Sequence, residues 1–199
     1  AAMPPGLNDE VLDVLQRAKK PLLIAGPALG NARGRAVLGK FEETTGVPAI
    51  MMESPRGVND PGLGLLAEVL GAADVVVLAG KRRDFTLRFG AAFAKECKVL
   101  EVESVESGTE HWIARAGRRN WAGSGWLAEV RAAIAFRPVA WRNIASRPEG
   151  PLHPVEVGRA VQELLDVPQA VLVADGGEFG QWAQATLAAP HRLINGPAG

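Results

Sequence analysis

The sequence has a single cysteine, no surplus of either charge and no long apolar run. With Cys97 alone no internal disulfide can form, and the thiol reads as a small buried hydrophobe beside Phe93. Lys plus Arg and Asp plus Glu are both 22, so the formal net charge is zero, no large basic surface is required, and no nucleic-acid partner is expected. No apolar stretch approaches the roughly 20 residues that cross a bilayer. Residues 1–8 lack the basic start and apolar centre of a secretion signal, so a cytoplasmic protein with no membrane partner is the simplest expectation. The G-x-G-x-x-G spacing of a dinucleotide-binding turn is absent as well. In 199 residues there is room for one full domain, or for one and part of another.

What is present centres on residues 73–84. Val75 to Leu78 are consecutive apolar residues between Asp74 and a glycine turn, the pattern of a parallel strand covered on both faces. Gly80 lets the chain turn, and Lys81, Arg82 and Arg83 then place cations at the strand's carboxyl end, the edge where open α/β sheets bind ligands. A merely solvated basic loop is the alternative.

Before this strand, Asn8 caps a helix with Val11, Leu12, Val14 and Leu15 on one face, and Pro21 forbids its continuation. Leu22–Ala25 is an apolar strand, and the glycine-rich turn from Gly26 to Gly34 leads into a helix carrying Val37, Leu38 and Phe41 and ending near Gly46. A second strand follows over Ala49–Met52, then a Pro/Gly/Asn/Asp-rich loop over 53–62 and a short helix over 65–70. After residue 84 the sequence suggests a helix from Thr86 to Lys95 with Leu87 and Phe93 buried, a strand from Lys98 to Glu103, and a fifth strand within Ala114–Trp121. Ser124 caps a helix over Trp126–Phe136, which Arg137-Pro138 closes. The fold class is therefore α/β, a Rossmann-like parallel sheet with helices on both faces and right-handed crossovers. Because the Gly26 turn and the Gly80–Arg83 loop leave neighbouring strand ends, the phosphates of any adenine nucleotide are expected near both.

Residues 139–150 read as a connection between domains. His153-Pro154 begins a new helix with Val155, Val157, Ala160, Val161 and Leu164 on its buried side, Ala170–Ala174 is a buried strand, and Asp175–Gly180 turns into a helix through Trp182 and Leu187. The Gly176-Gly177 pair lets backbone N–H groups approach an anion with no Cβ in the way. Arg192–Ile194 is one more strand, so the second unit reads as incomplete. The domains expected are 1–138, a linker over 139–150, and a partial domain over 151–199.

Three segments, Ala73–Asp84, Val99–Gly108, and Leu152–Val157 through Asp175-Gly176-Gly177-Glu178-Phe179, together resemble thiamine-diphosphate enzymes of the acetolactate synthase, benzaldehyde lyase and 2-hydroxyacyl-CoA lyase group. The resemblance implies a three-domain subunit, of which this chain is the central domain and the start of the pyrophosphate-binding domain. It places the amino-terminal domain and the Mg-binding residues in other parts of the same polypeptide. A homo-oligomeric carboligase or lyase acting on 2-keto acids or related carbonyls is implied for that parent, with thiamine diphosphate and Mg as cofactors. The chain itself would hold no catalytic residue and no metal ligand. Gly177, Glu178 and Phe179 match the family's segment at the diphosphate end of the cofactor. The family's central domain binds FAD in acetolactate synthases through Gly-x-Arg-x-Asp and Asp-x-Asp-x-x-Glu segments. The corresponding candidates are Gly80, Lys81, Arg82 and Asp84 with Glu101 and Glu103, beside Gly26. The 52–74 connection lacks the Gly-Met-His-Gly stretch that lies along the flavin, so FAD, ADP and no ligand all stay open. A stand-alone nucleotide-binding or sensor module is the alternative that the βαβ pattern allows.

Overall fold

Asn8 begins the first helix, α1 (Asp9–Arg17), by accepting a hydrogen bond from Val11 N at 3.0 Å, while Asp9 and Glu10 sit in its first turn and Arg17 in its last. Its buried face, Val11, Leu12 and Leu15, lies on strand β1 (Pro21–Ala25), in which every residue is buried. Asn31 caps α2 (Ala32–Thr45) through Gly34 N at 2.8 Å, and Gly46 ends that helix in the left-handed region at φ 68°. Strand β2 (Ala49–Met51), helix α3 (Leu66–Ala72), strand β3 (Val75–Ala79) and strand β4 (Lys98–Val102) follow. This computed structural model describes residues 8–102, 109–123, 125–175 and 177–194.

The sheet order is β2-β1-β3-β4 and all pairs are parallel, with Leu23 opposite both Ala49 and Val77, and Val77 opposite Leu100. The two central strands are wholly buried and read as unbroken apolar runs, while the edge strands are partly buried and β4 carries Lys98 and Glu101. From β1 the chain steps outward to β2 and then returns past β1 to β3. The direction of winding therefore reverses between β1 and β3, and ligands of such sheets bind beyond the carboxyl ends at that point. At the opposite edge the Asp74 carboxylate accepts from Lys19 N and Lys20 N, each at 2.8 Å, which fixes the starts of β1 and β3 to one another.

Two expectations for this sheet are corrected. The fifth strand within Ala114–Trp121 is absent among the described residues, where helix α4 (Thr109–Ala116) and a turn occur instead. Trp112 and Ala116, four residues apart, both enter the core on one helical face, and Trp121 Nε1 closes the helix on Ala116 O at 2.9 Å. The helix from Thr86 to Lys95 is reduced to a 3-10 turn, Phe85–Gly90, in which Arg88 and Phe89 have φ of 50° and 53°. Leu87 is buried as expected, whereas Phe93 and Cys97 are only half-buried. Burial, followed by the Asp74 charge, raises the Cys97 thiol above its ordinary value and keeps it protonated. The cap assigned to Ser124 lies outside the described residues; the helix it precedes, α5 (Trp126–Ala135), anchors to the sheet through Trp126 Nε1 and Pro21 O at 2.8 Å.

The chain divides into two units, Ala1–Glu53 with Ala67–Ala132 and Ser54–Leu66 with Ala133–Gly199. The second contains 3-10 turns at Gly57–Asn59, Pro61–Leu63 and Val139–Asn143, helix α6 (Pro154–Leu165), strand β5 (Val171–Ala174), helix α7 (Gly177–Thr186) and strand β6 (His191–Ile194). β5 and β6 pair in parallel. Leu172 and Ala174 pack against Ala183 and Leu187, with Val161 and Leu165 beside them. β5 is not the wholly buried strand that its sequence suggests. Its burial alternates, and Val171, Val173 and the neighbouring Leu193 are 57%, 62% and 61% exposed, because both helices cover one face only. Among the described residues no helix is long and apolar enough to cross a membrane.

Candidate functional site

The carboxyl edge of the first sheet brings together most of the candidates on residues 26–101. Gly26 N donates to Ala79 O at 2.8 Å and Gly80 N to Val102 O at 2.9 Å, so the turns after β1 and β3 continue the ladder one residue beyond the strands. A Cβ on Gly26 would stand 1.9 Å from Gly80 O. Gly26 is thus required by the close approach of two backbones, and the space its missing side chain leaves is filled by protein.

The three cations of the loop differ in kind. Lys81 is buried and its Nζ lies 2.8 Å from Asp84 Oδ2. Arg83 Nε pairs with Glu101 Oε1 at 2.5 Å. Arg82 is exposed and makes no hydrogen bond or ion pair among the described residues. Glu103 lies outside the described residues. Sequence reading missed Arg35 and Glu53, which meet at 2.5 Å over the same edge, Arg35 also donating to Gly30 O at 3.1 Å. The position of Glu53 two residues after β2 was the available signal.

Asp84 caps its 3-10 turn by accepting from Thr86 N at 2.9 Å and from Thr86 Oγ1 at 2.5 Å. Burial alone would raise this carboxyl, but the hydrogen bonds from Lys81 and Thr86 and the Lys81 charge outweigh it and hold it below its ordinary value. A depressed folded value gives stability that is complete above about pH 4, the unfolded range for Asp, and is lost as pH falls through the folded value. Denaturant unfolding followed from neutral pH into the acid range should show a shallower acid loss for Asp84→Asn than for wild type. Parallel curves would remove Asp84 from that linkage.

The candidates Gly177, Glu178 and Phe179 form the first turn of α7. Gly177 has φ 81°, and apart from its chain neighbours and its own helix backbone nothing lies within 4 Å of the place its Cβ would occupy. An opening at a helix amino end, where backbone N–H groups point outward, suits the approach of an anionic group. Gly180 fixes the turn from below, since a Cβ there would stand 2.1 Å from Asp175 O. Phe179 is exposed, and Gly176 lies outside the described residues.

A four-strand parallel sheet with glycine turns at its switch point, and a second unit with a helix opening on a left-handed glycine, define the class as an α/β protein. No protein-family model matches the chain. It is 27% identical over 195 residues to the acetolactate synthase large subunit of Mycobacterium tuberculosis, covering 88% of this chain and 36% of that protein. It is 30% identical over 197 residues to 2-hydroxyacyl-CoA lyase 2 of Bos taurus, covering 84% and 31%, and 28% identical over 143 residues to oxalyl-CoA decarboxylase of Escherichia coli, covering 67% and 25%. The chain is homologous to these thiamine-diphosphate enzymes. It spans about a third of the length of the first two.

Proposed function

We propose that this chain is the central domain and the beginning of the pyrophosphate-binding domain of a thiamine-diphosphate-dependent carboligase or lyase acting on 2-keto acids or related carbonyl compounds. The homology along most of the chain carries this reading, and the open left-handed turn at Gly177 supports it. When bound with Mg, thiamine diphosphate supplies the electron sink that makes and breaks bonds at a carbonyl carbon. This chain's part is to bind and orient. Gly177 to Phe179 would hold the diphosphate end with backbone N–H groups, and the first sheet would act as a scaffold or hold FAD or ADP over its carboxyl edge. The whole polypeptide is proposed to be a cytoplasmic homo-oligomer.

The chain alone is proposed to be inactive, because one turn of α7 is a fraction of a cofactor site. Calorimetric titration of the 199-residue chain with thiamine diphosphate and Mg should give no saturable heat, and pyruvate should not be consumed. Stoichiometric tight binding by the chain alone would show that the site is elsewhere. The whole polypeptide should act on 2-keto acids only when both cofactors are supplied, and activity without them would overturn the reading.

A further inference from the structure

Arg56 belongs to none of the segments that carry the family resemblance, yet its Nη2 donates to Gly177 O at 2.7 Å, across 121 positions of sequence. Its own backbone is held in place: Arg56 N donates to Ser54 Oγ at 3.3 Å, and the next residue, Gly57, is buried with φ 56°. Asp60 then caps the following turn by accepting from Gly62 N at 2.8 Å. The far end of the same loop is fixed as firmly. Arg137 donates to Gly62 O at 2.9 Å and to Ala185 O at 2.8 Å, Leu65 N donates to Ala133 O at 3.0 Å, and a Cβ on Gly62 would stand 2.8 Å from Gln184 O. The 54–66 loop therefore spans α7, with Arg56 at its first residue and Gly62 at its last turn.

Electrostatics alone would not put a guanidinium there. A cation beside a helix amino end faces the positive end of the macrodipole, which disfavours it, and fixing an arginine side chain costs rotamer freedom. What holds the guanidinium there is its hydrogen bond to the carbonyl of the left-handed Gly177. We propose that Arg56 is a positioning residue. By holding the Gly177 carbonyl it sets the orientation of the Gly177–Phe179 turn, and through that turn the binding of the diphosphate end of thiamine diphosphate. This rests on the function proposed above.

The test uses the whole polypeptide with Arg56→Ala and Arg56→Lys. Hydrogen exchange of the amides over residues 178–181, measured without cofactor, reads the turn itself, and calorimetric titration with thiamine diphosphate and Mg reads its consequence. Arg56→Ala is expected to speed that exchange and to weaken cofactor binding, each about tenfold, with the melting temperature of the apoprotein unchanged. Arg56→Lys, which keeps a charged donor, should recover most of both. Unchanged exchange in Arg56→Ala overturns the positioning role. Faster exchange with unchanged cofactor affinity overturns the link from the turn to the cofactor. A lowered apoprotein melting temperature that Arg56→Lys does not rescue reduces Arg56 to a structural contact, also against the proposal. A wild type that binds no thiamine diphosphate overturns the proposed function, and it is distinguishable because the exchange difference is read with no cofactor present.

Discussion

Gly26→Ala should destabilise the first unit by about 3 kcal/mol and lower its melting temperature by roughly 10 °C. The new methyl carbon would fall 1.9 Å from Gly80 O, and the obstructing atom is backbone. Relief requires one strand end to move, because no rotamer change removes the clash. Both ends are committed, Gly26 N to Ala79 O and Gly80 N to Val102 O, so a shift of either turn breaks ladder hydrogen bonds between buried central strands. Gly39→Ala provides the opposite sign. Gly39 is exposed inside α2 with nothing within 4 Å of a Cβ, so alanine there should stabilise by about 0.5–1 kcal/mol through helix propensity. Thermal unfolding of the two variants beside wild type would settle the point. Equal melting temperatures for Gly26→Ala and wild type would mean that the β1 and β3 turns are free to separate.

The four-strand sheet was legible because burial on both faces removes alternation: Val75–Leu78 and Leu22–Ala25 have nothing polar to hide, and only a parallel strand of that length between helices fits. The 109–121 region was misread for a related reason. Trp112, Ala116 and Trp121 are apolar in both a strand and a helix reading, and only the pairing of Trp112 with Ala116 at a spacing of four carries the helical signal. At β5 the sequence is apolar on both faces while the chain covers one, so Val171 and Val173 stand exposed. Within the candidate site the residue types were legible and their partners were not. That Asp84 would neutralise Lys81, and Glu101 would neutralise Arg83, depends on loop geometry that neither a spacing of three outside a helix nor one of 18 fixes. The bond from Arg56 to Gly177 joins residues 121 apart, with no pattern in either segment to announce it.

Those pairings decide which cation is available to a nucleotide, and Arg82→Ala is accordingly expected to weaken ADP binding about ten- to a hundredfold. Lys81 would have to give up a buried bond to Asp84, and Arg83 its bond to Glu101, before either met a phosphate. Arg82 gives up only water. A charge-assisted hydrogen bond to phosphate contributes about 1.5–3 kcal/mol, which converts to that loss. Because Gly26 and Gly80 are closed against each other, the phosphates would lie over the two turns, on the solvent side where Arg82 is exposed. The same exposure means that the variant should melt with wild type, since no hydrogen bond or ion pair among the described residues is removed. Competition against a fluorescent adenine nucleotide, repeated at raised salt to separate a directed contact from diffuse attraction, distinguishes the two roles open to this edge. Loss of affinity in Arg82→Ala alone makes the loop a phosphate site. Equal affinity in both proteins, or none in either, leaves the first sheet as a scaffold whose basic loop serves only its own ion pairs.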